Sequence, residues 1–301
     1  MILSPPPTPP RRPAPTPRGD EVCVFFQLHE PPQPSRIYLS WPAGKGVCDR
    51  FIVVGAHRDV VLFRMMYPIP VPGSDFDRDM HDYILYTAGD GSRGPSLHLL
   101  PSLHCTTAEF RGMLEAGRFR YSNQLLRRLV GLDIDVLRRG DVYALAELQI
   151  DRFAKAQAEL HVLCSSRSDR WQVTHPDIII HDSGLDMETF LFKWSADSVV
   201  PIGNYLCWVD YCLGGILLCN VFDDSSGLRY VPLLAKIPGM NREIHGKSWS
   251  DMYQTVGVVN EDHGVLKFVM VLQGDAQNLW LLLVSSFLPS AWLIQASYVL
   301  C

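Results

Sequence analysis

The chain reads as a mostly β protein built of antiparallel meanders, propeller-like or sandwich in architecture. A small helical insertion is expected near 106–137, and a disordered proline-rich arm at the N-terminus. Three observations predict this. Short runs of β-branched and aromatic residues recur along the sequence, each closed by Gly, Pro or Asp. Residues 205–233 form three such runs separated by tight turn signals. No long helical pattern alternates with the runs, which disfavours an α/β fold.

Taken in order, residues 1–20 hold eight prolines and three arginines by Arg18, and no apolar signal-peptide core. Proline cannot donate a backbone hydrogen bond, so this arm is expected to be disordered or polyproline II. Its Pro7 to Pro10 spacing is one that an aromatic groove can accept. Strand-like runs then follow at Val22–Phe26, Ile37–Trp41, Phe51–Val54 and Val60–Arg64. They resume at Tyr83–Thr87, Leu97–Leu100, Val142–Leu148, Glu159–Ser165 and Trp171–Val173. Between them, Thr106–Leu137 carries a Thr-capped helix start at Thr107, weakened by Gly112 and Gly117. The domain reading is therefore an arm over 1–20, one β-rich domain over 21–275 and an uncharged hydrophobic tail over 276–301.

The meander itself runs Tyr205–Asp210, then Gly215–Phe222, then Leu228–Leu233. Gly214 marks the first turn, and Asp223-Asp224-Ser225-Ser226-Gly227 the second.

Composition narrows the function classes. The chain has 301 residues, 47% apolar and 20% charged, which is enough to bury a sizeable core. Its net charge of −5 argues against a nucleic-acid partner, which calls for a basic excess. Arginines cluster over Arg118–Arg139 among Asp133 and Asp135, the pattern of a solvated face. Eight scattered cysteines and the absence of an N-x-S/T sequon point to reduced thiols in cytoplasm or nucleus, with no disulfides.

No motif specifies a cofactor. Gly89-Asp90-Gly91-Ser92-Arg93-Gly94 matches the dinucleotide glycine spacing. Pro95 and a strand follow it, however, where a phosphate site needs a helix N-terminus. Cys207, Cys212 and Cys219 lack knuckle spacing and read as small apolar packing groups, so no metal is expected. His175 and His181 lie about 20 Å apart if extended, too far for one ion. His81-Asp82 together with His175 and Asp177 make the one alternative catalytic set, a hydrolase site assembled from loops. No nucleophile elbow accompanies them. Trp41, Trp171, Trp194, Trp208 and Trp249 sit in β-prone runs and read as sheet anchors. These features favour a non-enzymatic protein-interaction module with an unknown partner over an enzyme.

One block is specific enough to carry a resemblance. It comprises Trp208-Val209-Asp210, Gly215-Ile216-Leu217-Leu218-Cys219 and Leu228-Arg229-Tyr230-Val231-Pro232. The block resembles the core of a plant family, expanded in grasses, known only as a domain of unknown function, number 1618. Asp82–Tyr86 with Pro95–Pro101 resembles its opening segment, and Ala158–Val162, Trp171 and Ser198–Gly203 its middle. The resemblance covers roughly residues 50–272 and implies no activity, cofactor or catalytic residue. More weakly, the chain is similar to the β-rich recruiting domains that follow F-boxes in plant proteins, although no F-box-like helical segment lies upstream.

The C-terminus departs from that pattern. Asp275 is the last charged residue, and Leu279–Cys301 follows with none. A bilayer span needs about 20 apolar residues. Pro289, the interspersed serines and the missing basic flanks weaken that reading. In order of preference, the tail is a replaced terminus that leaves a sheet edge open, a pair of core strands, or a membrane anchor.

Overall fold

The computed structural model describes residues 14–15, 21–27, 29–30, 32–40, 50–69, 78–90, 92–101, 133–151, 157–180, 186–225, 227–233, 254–260, 265–273, 280–287 and 294–300. The chain gathers into two compact units, 1–130 and 131–301. That boundary falls inside the 21–275 stretch read from sequence as one domain. Every ladder among the described residues joins strands of the same unit, and nearly all of them pair strands consecutive in the chain.

In the first unit, β1 (Ala14–Pro15), β2 (Glu21–Gln27) and β3 (Arg36–Ser40) form one sheet. Ala14 and Pro15 pair with Val22 and Glu21, so part of the arm joins a ladder. The rest of 1–20 lies outside the described residues. A second sheet runs in chain order through β4 (Arg50–His57), β5 (Val60–Ile69), β6 (Arg78–Thr87) and β7 (Ser96–Leu99). The turn between β4 and β5 holds Arg58 at φ +55°, left-handed backbone that a primed two-residue hairpin requires. Aromatic rings join the two sheets. Phe26 of β2 lies 4.5 Å from Tyr86 and 6.4 Å from the fully buried Phe63, which also stacks on Phe51 within its own sheet at 4.9 Å.

The second unit contains three sheets of the same kind. The first is β8 (Ile134–Arg139), β9 (Val142–Asp151), β10 (Gln157–Cys164) and β11 (Gln172–Thr174). The second is β13 (Ser198–Ile202), β14 (Tyr205–Asp210), β15 (Gly215–Asn220) and β16 (Leu228–Pro232). Its outer edge carries β12 (Ile178–Ile179), paired parallel to β16. The third is β17 (Gln254–Asn260), β18 (Val265–Gln273), β19 (Trp280–Phe287) and β20 (Ile294–Leu300).

The fold is thus mostly β and antiparallel, as expected. Of the segment read as a helical insertion, 106–137, residues 106–132 lie outside the described residues, but its last residues, 134–137, open strand β8. The helix the structure describes is α1 (Met187–Lys193), a site the sequence reading did not mark. In the uncharged tail, the backbone of β19 pairs with β18 over eight residues, and β20 pairs with β19. The ladder therefore runs on past β18, through backbone groups that need no side-chain charge. Among the described residues no helix is long and apolar enough to cross a membrane.

The β13–β16 meander packs apolar side chains on both faces, and β14 and β15 are its most deeply buried strands. One face (Leu206, Trp208, Leu217, Cys219 and Tyr230) packs on Leu137, Ala146 and Leu160 of the β8–β11 sheet, on Phe190 of α1 and on Trp194 just after it. The other, including Cys207, Val209, Ile216, Leu218 and Val231, packs on Val256, Leu266 and Phe268 of β17 and β18. This is why the run Leu206–Cys219 lacks polar alternation: both sides of each strand are interior. The first strands of the three sheets are neighbours, with β13 against both β8 and β17.

Gly215 allows the meander to close. A Cβ there would lie 2.1 Å from Cε2 of the Tyr230 ring. That ring is buried and packs edge-on to Phe190 at 5.1 Å, so it has nowhere to move. Gly215→Ala is expected to cost about 2–4 kcal/mol by overpacking, and a second change, Tyr230→Leu, should recover part of that loss. Urea unfolding of the single and double variants checks this.

Candidate functional site

The sequence block with the strongest signature is the β14–β15 turn and the strands beside it. Asp210 ends β14 and is fully buried. Its Oδ1 accepts the Leu213 N–H at 2.7 Å and its Oδ2 accepts the Ser195 N–H at 2.8 Å. One carboxylate therefore shapes the turn and holds the chain leaving α1. A buried charge persists when such donors satisfy it. Asp197 does the matching job one strand away, its Oδ2 accepting the Tyr211 N–H at 2.8 Å. Gly214, at φ +76°, supplies the left-handed residue that the turn needs.

The aromatic residues of the block reach to both flanking sheets. Trp208 Nε1 donates to the Asp133 carbonyl at 2.7 Å, just before β8. The Tyr211 hydroxyl accepts the Val256 N–H of β17 at 3.0 Å and lies 3.2 Å from Ser198 Oγ. Burial, followed by the nearby Asp210 carboxylate, pushes the Tyr230 phenol up to about 12, so it stays protonated. Pro232 ends β16 exposed, a position where its missing N–H costs no ladder bond.

Asp197, Asp210 and Cys212 bring potential ligand atoms within 4.8 Å of one another. Three of the carboxylate oxygens are already occupied by backbone N–H groups. The set is accounted for by turn formation. Cys207 and Cys219 are buried on opposite faces of the meander and Cys212 lies in the turn, so the three thiols do not share a site. Burial also pushes the Cys207 thiol up, away from thiolate chemistry. Cys23, Cys164, Cys207, Cys212 and Cys219 form no disulfide.

The alternative catalytic set is placed as follows. His81 and Asp82 are consecutive on β6 and project to opposite faces of the sheet, with Asp82 buried. They belong to the first unit, and His175 and Asp177 to the second. Both of the latter are exposed, in the connection between β11 and β12. Asp177 contributes its backbone carbonyl, which accepts the Leu228 N–H at 3.0 Å.

The glycine-rich loop is filled from within. Asp90 Oδ1 accepts the Ser92 and Arg93 N–H groups at 3.1 and 2.8 Å and the Ser92 hydroxyl at 2.6 Å. These bonds hold its carboxyl down at about 2. The chain's own carboxylate takes N–H groups that a phosphate would require. The Asp223–Ser225 turn repeats the device, and Ser225 holds the Asp223 carboxyl below its usual range.

Trp194 and Trp208 are core anchors, and Trp171 is partly exposed. Trp41 and Trp249 lie outside the described residues. Helix α1 was missed because Phe190, Leu191 and Phe192 read as β-prone. Its signal is Asp186 ahead of apolar residues at 187, 190, 191 and 194, a helical spacing.

The family model described as "Protein of unknown function (DUF1618)" matches residues 208–293. Over this segment the chain is similar to the DUF1618 family. The DUF1618 segment begins at Trp208, whose indole reaches the neighbouring sheet. It continues past residue 276, where the sequence reading placed a departure from the family, and runs through β19. No curated protein matches the chain.

Asp210→Ala should cost about 3 kcal/mol by leaving the Leu213 and Ser195 N–H groups buried without an acceptor. Asp210→Asn, which keeps one acceptor oxygen, should cost less. Urea midpoints at an unchanged m-value are the measurement.

Proposed function

We propose that the chain is a non-enzymatic protein-interaction scaffold whose meanders are propeller-like blades. Support for the blades comes from the second unit, where three four-stranded meanders have neighbouring first strands and the middle one is covered on both faces. The polar and aromatic groups of the DUF1618 block are spent on turns and inter-sheet bonds, which suits a scaffold. Binding then falls to the outer elements.

Phe192 carries this reading. It is 58% exposed on α1, while its neighbours Phe190 and Leu191 are buried. Val173 on β11 and Ile179 on β12 are also exposed, at the outer edges of two sheets. The resemblance to F-box-associated recruiting domains points the same way by analogy.

Affinity capture from cell extract with the wild-type chain and the Phe192→Ser, Val173→Ser double variant tests it. A partner that co-elutes with the wild type should be retained at least roughly tenfold less by the variant, the effect of losing one interface anchor. The variant should keep its unfolding midpoint. Equal retention by both proteins would remove these side chains from the interface.

A further inference from the structure

Among the described residues of the second unit two aspartates are buried, and they are treated differently. Asp210 has a backbone N–H on each carboxylate oxygen. Asp135, on β8, is 5% exposed, and the hydrogen bond it accepts is on Oδ1, from the N–H of the next residue, Val136, at 2.7 Å. Its register partner is Ala146, two positions from the Leu137–Ala144 pair. Those three residues belong to the apolar layer between the β8–β11 sheet and the β13–β16 meander, so the carboxyl projects on the same side as that layer.

We propose that Asp135 makes the junction between these two sheets responsive to pH, seating it more firmly when the carboxyl holds a proton. The elements packed against β8 are β9, β13 and β14. Their apolar side chains in this layer include Ala144, Ala146, Leu148, Val199, Leu206 and Trp208. The titratable group they add on this face is the buried Asp210 carboxylate of β14, which holds the Leu213 and Ser195 N–H groups, while Arg139 at the end of β8 lies over the Phe222 ring. Strands β9, β13 and β14 contain no Lys or Arg, so they contribute no cation to offset an ionised Asp135. Burial pushes its carboxyl up to about 7, against a smaller downward pull from the Val136 N–H. Two residues away, the Asp133 carbonyl takes the Trp208 indole N–H, so a shift of β8 bears directly on the bond that ties the sheets together.

The sign follows from proton uptake. Between pH 4 and 7 the folded chain keeps a proton that the unfolded chain has released, so stability falls as pH rises through that window. Above pH 7 both states are ionised at this group and the loss is complete. Between pH 5 and pH 8 the unfolding constant should rise by about a hundredfold from this group alone.

Urea unfolding of the full chain at pH 5, 6, 7 and 8, wild type against Asp135→Asn, reads the effect. The variant should lack that hundredfold component, and amide exchange over β8 and β14, corrected for intrinsic rate, should quicken with pH in the wild type only. Parallel pH slopes in the two proteins would overturn the proposal. Carbon-13 titration of the wild-type aspartate carboxyls is independent of whether the variant folds. A carboxyl of Asp135 titrating near pH 7 supports the proposal, and one titrating below pH 5 overturns it.

Discussion

Apolar packing on both faces of the β13–β16 meander is the constraint that organises the second unit. A strand with two interior faces has no room for solvated side chains, so every polar group in it must be satisfied locally or across a sheet boundary. Asp210, Trp208 and Tyr211 are the residues that do this. Asp210 satisfies the turn and the segment leaving α1, Trp208 bonds to the residue before β8, and Tyr211 bonds to β17. Each full burial of a large apolar side chain in the two flanking layers contributes about 1.5–3 kcal/mol, but the directional bonds select which sheets meet.

The same constraint explains why the block is recognisable as a sequence. Tyr230 must cover Gly215, Gly214 must turn with positive φ, and Asp210 must accept two N–H groups. None of these requirements is chemical in the catalytic sense. The densest signature in the chain therefore marks the structural centre of the second unit, and groups that face outward, such as Phe192 and Val173, sit in parts of the sequence with no distinctive motif.

Short loops show the same economy. Asp90 and Asp223 each fold a side chain back onto the N–H groups of their own turn. A glycine spacing that looks like a phosphate cradle is in this way a self-filled turn. Arg167 binds both the Phe222 carbonyl and Asp224, and Arg139 lies 4.6 Å over the Phe222 ring. These contacts join loops of different sheets at residues where sequence shows only charge.

The sequence by itself determined the strands and most of their turns. Alternation, β-branching and the Gly, Pro and Asp punctuation are local properties, and β2, β10, β14 and β15 begin and end close to where those signals lie, while β5 and β9 begin there and run on past them. It also carried the resemblance to DUF1618, through residues whose roles are local to one meander. Tertiary structure decided the rest. Whether Phe190 and Leu191 form a strand or a helix turns on the layer that buries them, because an apolar pair fits either period. Whether a carboxylate is a ligand, a turn former or a buried acid depends on which N–H groups reach it, and Asp90, Asp210 and Asp135 are indistinguishable by residue type. Their differences arise from contacts between residues far apart in the chain, which no local pattern encodes.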